Sequence, residues 1–270
     1  MRYPCIAISA ALLLASVSSV AAEEDEPRWS LSSSVNYSVG DYGTGKDTTL
    51  IYVPLTLGVK PIDRFTLSLT IPYIRQTSQT VVITGGGVAV RKDKQRQLAT
   101  ATRNQVTSTE DGLGDVLLKG QYVLLEEKSV LPEIGPYLKI KFPTADKSRG
   151  LGTGEYDETV GVDLSKTLFS RFVSYLTVAY TFVGSPAGTK FDNSFGWSVG
   201  AAYLVARPFS VFAFLDGSTA ISPGQANPLE VRVGADVRLT QALKIFGSVS
   251  RGLSDGSADW GASAGLALRF

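Results

Sequence analysis

Residues 229–240, LEVRVGADVRLT, alternate between aliphatic and polar side chains with a period of two. Glu230, Arg232, Asp236 and Arg238 fall on one side of such a segment, and leucine, valine and alanine fall on the other. This alternation is typical of a β-strand with two unlike faces. A soluble sheet would bury the aliphatic face, whereas a membrane barrel would turn it towards lipid and turn the charges towards a polar lumen. The segment alone leaves both architectures open.

The same alternation recurs along the chain and predicts about twelve strands. These lie at residues 29–39, 51–59, 65–73, 115–125, 134–142, 156–168, 176–182, 195–203, 209–215, 229–240 and 244–253, with a last strand that ends at residue 270. Short turns alternate with long loops, the longest of which spans residues 75–111. This asymmetry predicts an all-β fold, a transmembrane antiparallel up-and-down β-barrel, with both ends on the side of the short turns. A periplasmic sandwich or lipocalin-like barrel is the alternative.

Aromatic residues near the predicted strand ends favour the membrane barrel, because aromatic girdles lie at both membrane interfaces. They are Trp29, Tyr73, Tyr122, Tyr203, Trp260 and Phe270. The last strand also ends on an aromatic residue, as is typical of bacterial outer-membrane barrels. We therefore expect the barrel-assembly machinery to recognise the strand that ends at Phe270, and the protein to lie in the cell outer membrane of a Gram-negative-type envelope.

Three prolines fall within predicted strands: Pro54, Pro72 and Pro136. Proline cannot donate a hydrogen bond to a strand ladder, and a closed barrel has no free edge to receive it. We expect bulges or local breaks at these three positions.

The first 22 residues predict a cleavable signal peptide. Arg2 supplies a positive charge, a short apolar run follows, and Ala22 fits the small-residue cleavage pattern. The run is shorter than the roughly 20 apolar residues that a membrane helix needs. We expect cleavage after Ala22, an acidic periplasmic leader at residues 23–27 and the barrel at residues 28–270.

The composition excludes several classes of function. The 270-residue chain has no histidine, which excludes Ser-His-Asp triads, histidine metal ligands and histidine proton shuttles. The single cysteine, Cys5, lies in the predicted signal peptide, so the mature chain has no thiolate or disulfide chemistry. A net charge of +1 argues against a nucleic-acid partner. We expect no catalytic, cofactor or metal site.

Two blocks of the chain resemble a known family. Residues 111–125, DGLGDVLLKGQYVLL, and residues 142–168, FPTADKSRGLGTGEYDETVGVDLSKTL, are similar to blocks of the family described as "Putative MetA-pathway of phenol degradation". Residues 71–75, IPYIR, resemble that family's earlier proline-containing strand end. The resemblance implies an outer-membrane barrel of the transporter-like kind, with a suggested link to the uptake of aromatic compounds. It implies no particular functional residue.

The barrel register predicts that ten polar residues line the lumen. They are Asp115, Lys119, Gln121, Lys139, Lys141, Asp163, Glu230, Arg232, Asp236 and Arg238. A lumen with charges of both signs can guide small polar or charged solutes. The alternative is that neighbouring charges pair across strands and fill the interior, because a barrel of about twelve strands is narrow.

We therefore expect an outer-membrane channel or transporter that passes small solutes, aromatic compounds among them. Its expected partners are outer-membrane lipid, lipopolysaccharide and a small-molecule solute. The basic run at residues 91–96 would either meet the phosphates of lipopolysaccharide or form a solvated loop. Two other functions stay open: a non-conducting structural or surface-interaction barrel and, with less support, an enzyme embedded in the outer membrane.

Overall fold

The computed structural model describes residues 5–7, 27–42, 47–78, 83–85 and 108–270. These residues form strands and their connections, with a single short 3-10 helix at Lys147–Arg149. In these ranges no helix has the length and apolar character that a membrane crossing would require. The expected cleavage site after Ala22, leader residues 23–26 and the basic run at residues 91–96 lie outside the described residues.

The strands are β1 (Cys5–Ala7), β2 (Trp29–Gly40), β3 (Thr48–Ile62), β4 (Phe65–Ser78), β5 (Ile83–Gly85), β6 (Ser108–Leu113), β7 (Val116–Tyr122), β8 (Glu133–Phe142), β9 (Asp157–Leu168), β10 (Phe172–Val183), β11 (Ser194–Ala206), β12 (Phe209–Ser218), β13 (Leu229–Arg238), β14 (Leu243–Gly252) and β15 (Trp260–Arg269). Strands β1 and β5 form a separate parallel pair. The other strands form one antiparallel sheet that closes where β15 pairs with β2.

The closed sheet has twelve strand positions around its circumference. Strands β6 and β7 both pair with β4, one beyond the other along the same edge, and so share one position. Each remaining neighbour in the sheet is also the neighbour in sequence, except at the closing pair. This arrangement confirms the predicted all-β up-and-down barrel of about twelve strands.

Most aliphatic side chains of the strands lie on the outer face. In residues 229–240, Val233 is 48% exposed, whereas the side chain of Arg232 on the other face is 15% exposed. All six aromatic residues predicted to lie near strand ends are exposed as well. The alternation of residues 229–240 therefore reflects an apolar outer surface and a polar interior.

A charge on this outer surface is expected to cost stability according to its depth in the bilayer. Val233 lies in the middle of β13, so Val233→Arg should lower the free energy of unfolding by about 2–4 kcal/mol. Val205 is also exposed but lies near the end of β11, so Val205→Arg should cost about 0–1 kcal/mol. Guanidinium unfolding in lipid vesicles measures both values. Equal costs at the two positions would contradict an apolar surface that meets lipid.

All three strand prolines lie at interruptions of the sheet. Pro54 and Pro72 face each other across β3 and β4. The β2–β3 ladder skips Pro54 without a change of register. At Pro72, two residues of β4 face three residues between β6 and β7, which is a β-bulge, and the Gly114 N–H donates to the Pro72 carbonyl at 2.8 Å.

Pro136 lies at an interruption on one side only. It keeps a regular register with β9. On its other side, the β7–β8 ladder stops at Gln121 with Tyr137, and pairing resumes at Leu125 with Ile134, so three residues, 122–124, face two residues of β8. This is a β-bulge of the kind expected at a strand proline.

The longest predicted loop is shorter than expected. Strand β4 continues to Ser78 and β6 begins at Ser108, so both ends of the predicted loop at residues 75–111 are strand. Residues at these ends are polar on both faces, and they extend the strands by backbone pairing and by side-chain hydrogen bonds such as that between Thr77 and Thr109 at 2.9 Å. Hydrophobic alternation marks only the apolar part of each strand and misses such extensions.

Candidate functional site: the inner face of the barrel

We call the face opposite the exposed aliphatic side chains the inner face. All ten residues predicted from the sequence lie on it, nine of them on strands β7, β8, β9 and β13. Asp115 lies in the bulge between β6 and β7 and is 1% exposed. The strand order separates the ten residues into one group on β7–β9 and another on β13. Their role in solute passage stays a prediction.

Asp163 is the centre of the first group. It accepts hydrogen bonds from the Lys119 ammonium at 3.2 Å, from the Gln121 amide at 2.9 Å and from the Thr177 hydroxyl at 2.7 Å. Lys119 also lies 4.0 Å from the centre of the Tyr137 ring, within the range of a cation–π contact. These side chains come from β7, β8, β9 and β10, so the network crosses four neighbouring strands.

Lys139 has no such partner. It lies directly opposite Lys119 in the β7–β8 register, where two like charges repel each other. Within the described part of the chain, Lys139 makes no ion pair or hydrogen bond. Lys119 forms a direct ion pair with Asp163, whereas Lys139 has only the more distant Asp157 as an opposite charge.

Lys141 binds two acidic residues in the most buried ion cluster of the inner face. Its ammonium lies 2.8 Å from Asp157 and 3.5 Å from Asp115, and it donates a hydrogen bond to Thr153 at 3.0 Å. The side chains of Lys141, Asp115 and Asp157 are at most 8% exposed. Such burial makes each member costly to leave unpaired. Sequence analysis did not identify Asp157, although it shares the parity of Asp163.

The loop between β8 and β9, residues 143–156, folds against the inner face. The Ala145 N–H donates to Asp115 at 2.9 Å, and Leu151 packs in a buried cluster with Leu50 and Ile74. Since Leu50 and Ile74 belong to β3 and β4, the loop extends from its own strands across β6. It therefore occupies part of the interior at the end of the barrel where the long loops lie.

The tip of this loop is tied down by polar contacts. Asp146 caps the 3-10 helix by accepting hydrogen bonds from Ser148, which lowers the pKa of the Asp146 carboxyl below its ordinary value. Arg149 binds Glu110 of β6 at 3.4 Å. These contacts hold the loop to the wall at a second place, separate from the Lys141 cluster.

The second charged group lies on β12, β13 and β14. Arg232 donates to Asp216 through two nitrogens at 3.0 and 3.3 Å, and Ser198 donates to the same residue at 2.6 Å. Lys244 lies 3.5 Å from Asp236. The predicted residues Arg232 and Asp236 thus have partners that sequence analysis missed.

The other two predicted residues of β13 lie nearer its ends. Glu230 lies opposite Gly252 of β14 in the register. Arg238 is exposed at the last position of the strand, opposite Lys244 in the register. Arg238 is therefore at the short-turn mouth of the barrel, apart from the paired charges.

On the other side of the barrel, a stretch of inner face with few charges separates the two charged groups. It comprises β15, β2, β3 and β4, where Lys60 and Arg269, near strand ends, are the only charges on this face. Hydroxyl groups pair across the strands there, as in Thr56 with Thr70 at 2.8 Å. We call this stretch the hydroxyl sector; its side chains include Ser30, Ser32, Ser34, Asn36, Ser38, Thr56, Ser68, Thr70 and Ser263.

Aromatic rings on the inner face lie over glycines of the next strand. The four pairs are Tyr137 with Gly161, Phe214 with Gly200, Phe212 with Gly234 and Phe246 with Gly265. In each pair the ring occupies the space that a glycine side chain would need. Rings placed over glycines in this way stabilise strand pairing.

Comparison with known proteins identifies the family. The model of the family described as "Putative MetA-pathway of phenol degradation" matches residues 81–270. This chain belongs to that family. The resemblance drawn from residues 111–125 and 142–168 is thereby confirmed. None of the curated proteins matches this member of the MetA-pathway family.

Solved structures share the barrel of this MetA-pathway family member. The COG4313 outer membrane channel from Pseudomonas putida F1 is 15% identical, with a TM-score of 0.68 over 92% of this chain and 97% of that chain. The NanC porin is 10% identical, with a TM-score of 0.56 over 89% and 100%. The translocator domain of the autotransporter NalP from Neisseria meningitidis is 11% identical, with a TM-score of 0.54 over 92% and 90%. At these identities the likeness shows the fold alone, which is that of outer-membrane channels, porins and translocator domains.

Proposed function

We propose that this protein is an outer-membrane channel that passes small solutes along its inner face. The observation that carries the proposal is a closed barrel with an aliphatic outer face and an inner face of paired charges and hydroxyl groups. A lipid-facing apolar wall around a polar interior is the arrangement of membrane channels made of strands. The barrels of the channel and porin relatives support the same conclusion at the level of the fold.

The pairing of charges favours small solutes with little net charge. Asp163, Asp216 and Asp236 each have a basic partner within 3.5 Å. The two opposite charges of each pair therefore largely cancel at the distance of a passing solute. A pore lined by unpaired charges of one sign would instead select ions of the other sign. Aromatic solutes fit this interior, because inward rings such as Phe214 offer flat apolar contact beside polar groups.

Partners follow from the same placement. The apolar outer surface would contact outer-membrane lipid, and loops on the long-loop side would contact lipopolysaccharide. The strand that ends at Phe270 would be recognised by the barrel-assembly machinery. These partners rest on the outer-membrane placement.

A second candidate is a closed structural barrel. The loop at residues 143–156 occupies part of the interior, and the ion pairs fill more of it. This arrangement supports a barrel that stabilises the membrane or presents its loops without passing solute.

Single-channel conductance of the refolded protein in a planar bilayer separates the two candidates. We expect discrete current steps that change when Arg232→Gln releases Asp216 from its partner, and when Arg238→Gln removes a charge at the mouth. Arg75 lies on the outer face, so Arg75→Gln is the matched control and should leave the steps unchanged.

A silent bilayer would contradict the channel, provided that the protein is folded. Folding is checked by the change of gel mobility on heating. A folded but silent barrel would favour the structural candidate. Equal conductance in Arg232→Gln and wild type would instead place the current path away from β13.

A further inference from the structure

Of the four ring–glycine pairs, only Tyr137 with Gly161 has no backbone atom among the three atoms nearest to a Cβ built on the glycine. A Cβ atom built on Gly161 with ideal geometry would overlap with the Tyr137 ring, whose Oη and Cε1 atoms would lie 2.6 and 2.7 Å away. The three atoms nearest to that Cβ all belong to the Tyr137 side chain. A methyl group at this position would therefore push the ring and leave the backbone in place.

Gly200 on β11 is similar, and that strand also contains its own control. A Cβ atom on Gly200 would overlap with the Phe214 ring and would also lie 2.6 Å from the Ala213 carbonyl oxygen, so the backbone is crowded there as well. Gly196 lies four residues earlier on the same strand and the same face, and a Cβ atom there would have nothing within 4 Å. Glycine is thus sterically required at Gly200 and not at Gly196.

We propose that these glycines are positioning residues that set the bore of the lumen. The absence of a side chain lets each inward ring lie flat against the wall, so the ring covers the sheet without extending towards the barrel axis. A larger residue under the ring would tilt it inwards, because the wall blocks movement the other way. In a barrel of about twelve strands, one tilted ring takes up a large part of a narrow cross-section.

Tyr137 is placed where such a tilt would matter most. Lys119 lies 4.0 Å from the ring centre and is bound to Asp163. A ring displaced from Gly161 would press on this charged network and narrow the lumen beside it. The inference rests on the proposed channel function, since a bore has a consequence only when solute passes.

The experiment compares Gly161→Ala with Gly196→Ala in single-channel recordings of the full protein. We expect Gly161→Ala to lower the conductance by about twofold and to exclude smaller neutral polymers, with Gly196→Ala unchanged. Tyr137→Ala should raise the conductance by a similar factor. The double variant Gly161→Ala with Tyr137→Ala should match Tyr137→Ala alone, because no ring is left to displace.

The outcomes separate this inference from the proposed function. A silent wild-type protein counts against the channel itself. A conducting wild type with equal currents in Gly161→Ala and Gly196→Ala overturns the positioning role. Lower thermal stability of Gly161→Ala with unchanged conductance also overturns it, since the pair would then serve only packing. If Gly161→Ala does not fold, unchanged conductance in Tyr137→Ala is the result that overturns it.

Discussion

Replacing Lys141 with methionine is expected to lower the free energy of unfolding by about 3–5 kcal/mol, because the carboxylates of Asp115 and Asp157 would stay buried without a cation. The change also removes the hydrogen bond to Thr153 and so frees the loop at residues 143–156 from one of its polar attachments. Guanidinium unfolding in lipid vesicles measures the loss of stability. Trypsin cleavage within the loop, which contains Lys147, measures its release.

Lys244→Met is the matched control for this prediction. Lys244 also pairs with one acidic residue on the inner face, Asp236, but its side chain is 22% exposed and its loss should cost about 0–1 kcal/mol. Restoring neutrality with Asp115→Asn and Asp157→Asn in the Lys141→Met background should recover much of the stability. Equal stability and equal trypsin resistance in Lys141→Met and Lys244→Met would disprove the role of the cluster.

The substitution Asp163→Asn is expected to make the channel more selective for anions. Lys119 would lose its ionic partner while Lys139, directly opposite, has none, so two positive charges would face the lumen together. We expect the ratio of chloride to potassium permeability to rise several-fold, because charges of one sign in a pore select ions of the opposite sign. The reversal potential in a gradient of potassium chloride measures this ratio.

Two variants control for this shift in selectivity. Adding Lys119→Gln to Asp163→Asn restores the original net charge and should return the reversal potential towards the wild-type value. Glu126→Gln removes the same charge from an exposed turn, where Glu126 binds Arg64, and should have no effect. A reversal potential that stays at the wild-type value in Asp163→Asn would show that the current does not pass this group.

The fold was predictable because successive side chains of a strand point to opposite faces. In a membrane barrel, one face meets lipid and the other meets a polar interior, so apolar and polar residues alternate. Residues 229–240 alternate strictly, and their aliphatic side chains lie on the outer face, where Val233 and Leu239 are exposed. Residues 209–215, FSVFAFL, are apolar on both faces because Phe212 and Phe214 turn inwards over glycines. Periodicity cannot choose a face for such a strand, which is why Asp216 was not predicted as the partner of Arg232.

The inward loop could not be predicted from local sequence. Leu151 packs against Leu50 and Ile74, which are far away in the chain and meet it only once the barrel is closed. Asp157 and Asp115 are likewise brought to Lys141 by register and by a bulge at Pro72. One sequence reveals which faces are polar, but the pairing of charges depends on strand order and on an extra residue in one strand.

The closing pair of the barrel has a consequence for how the chain reaches its final state. Strands β15 and β2 are the most distant in sequence, yet they pair over ten residues, and Trp29 and Phe270 exchange backbone hydrogen bonds of 2.8 and 3.0 Å. Most other pairs in the barrel join strands that follow each other in the sequence. Until β15 is available, the growing sheet has two open edges, which are templates for pairing with other chains. Transit to the membrane without aggregation therefore depends on keeping the free edge of β2 unpaired until β15 is available to pair with it.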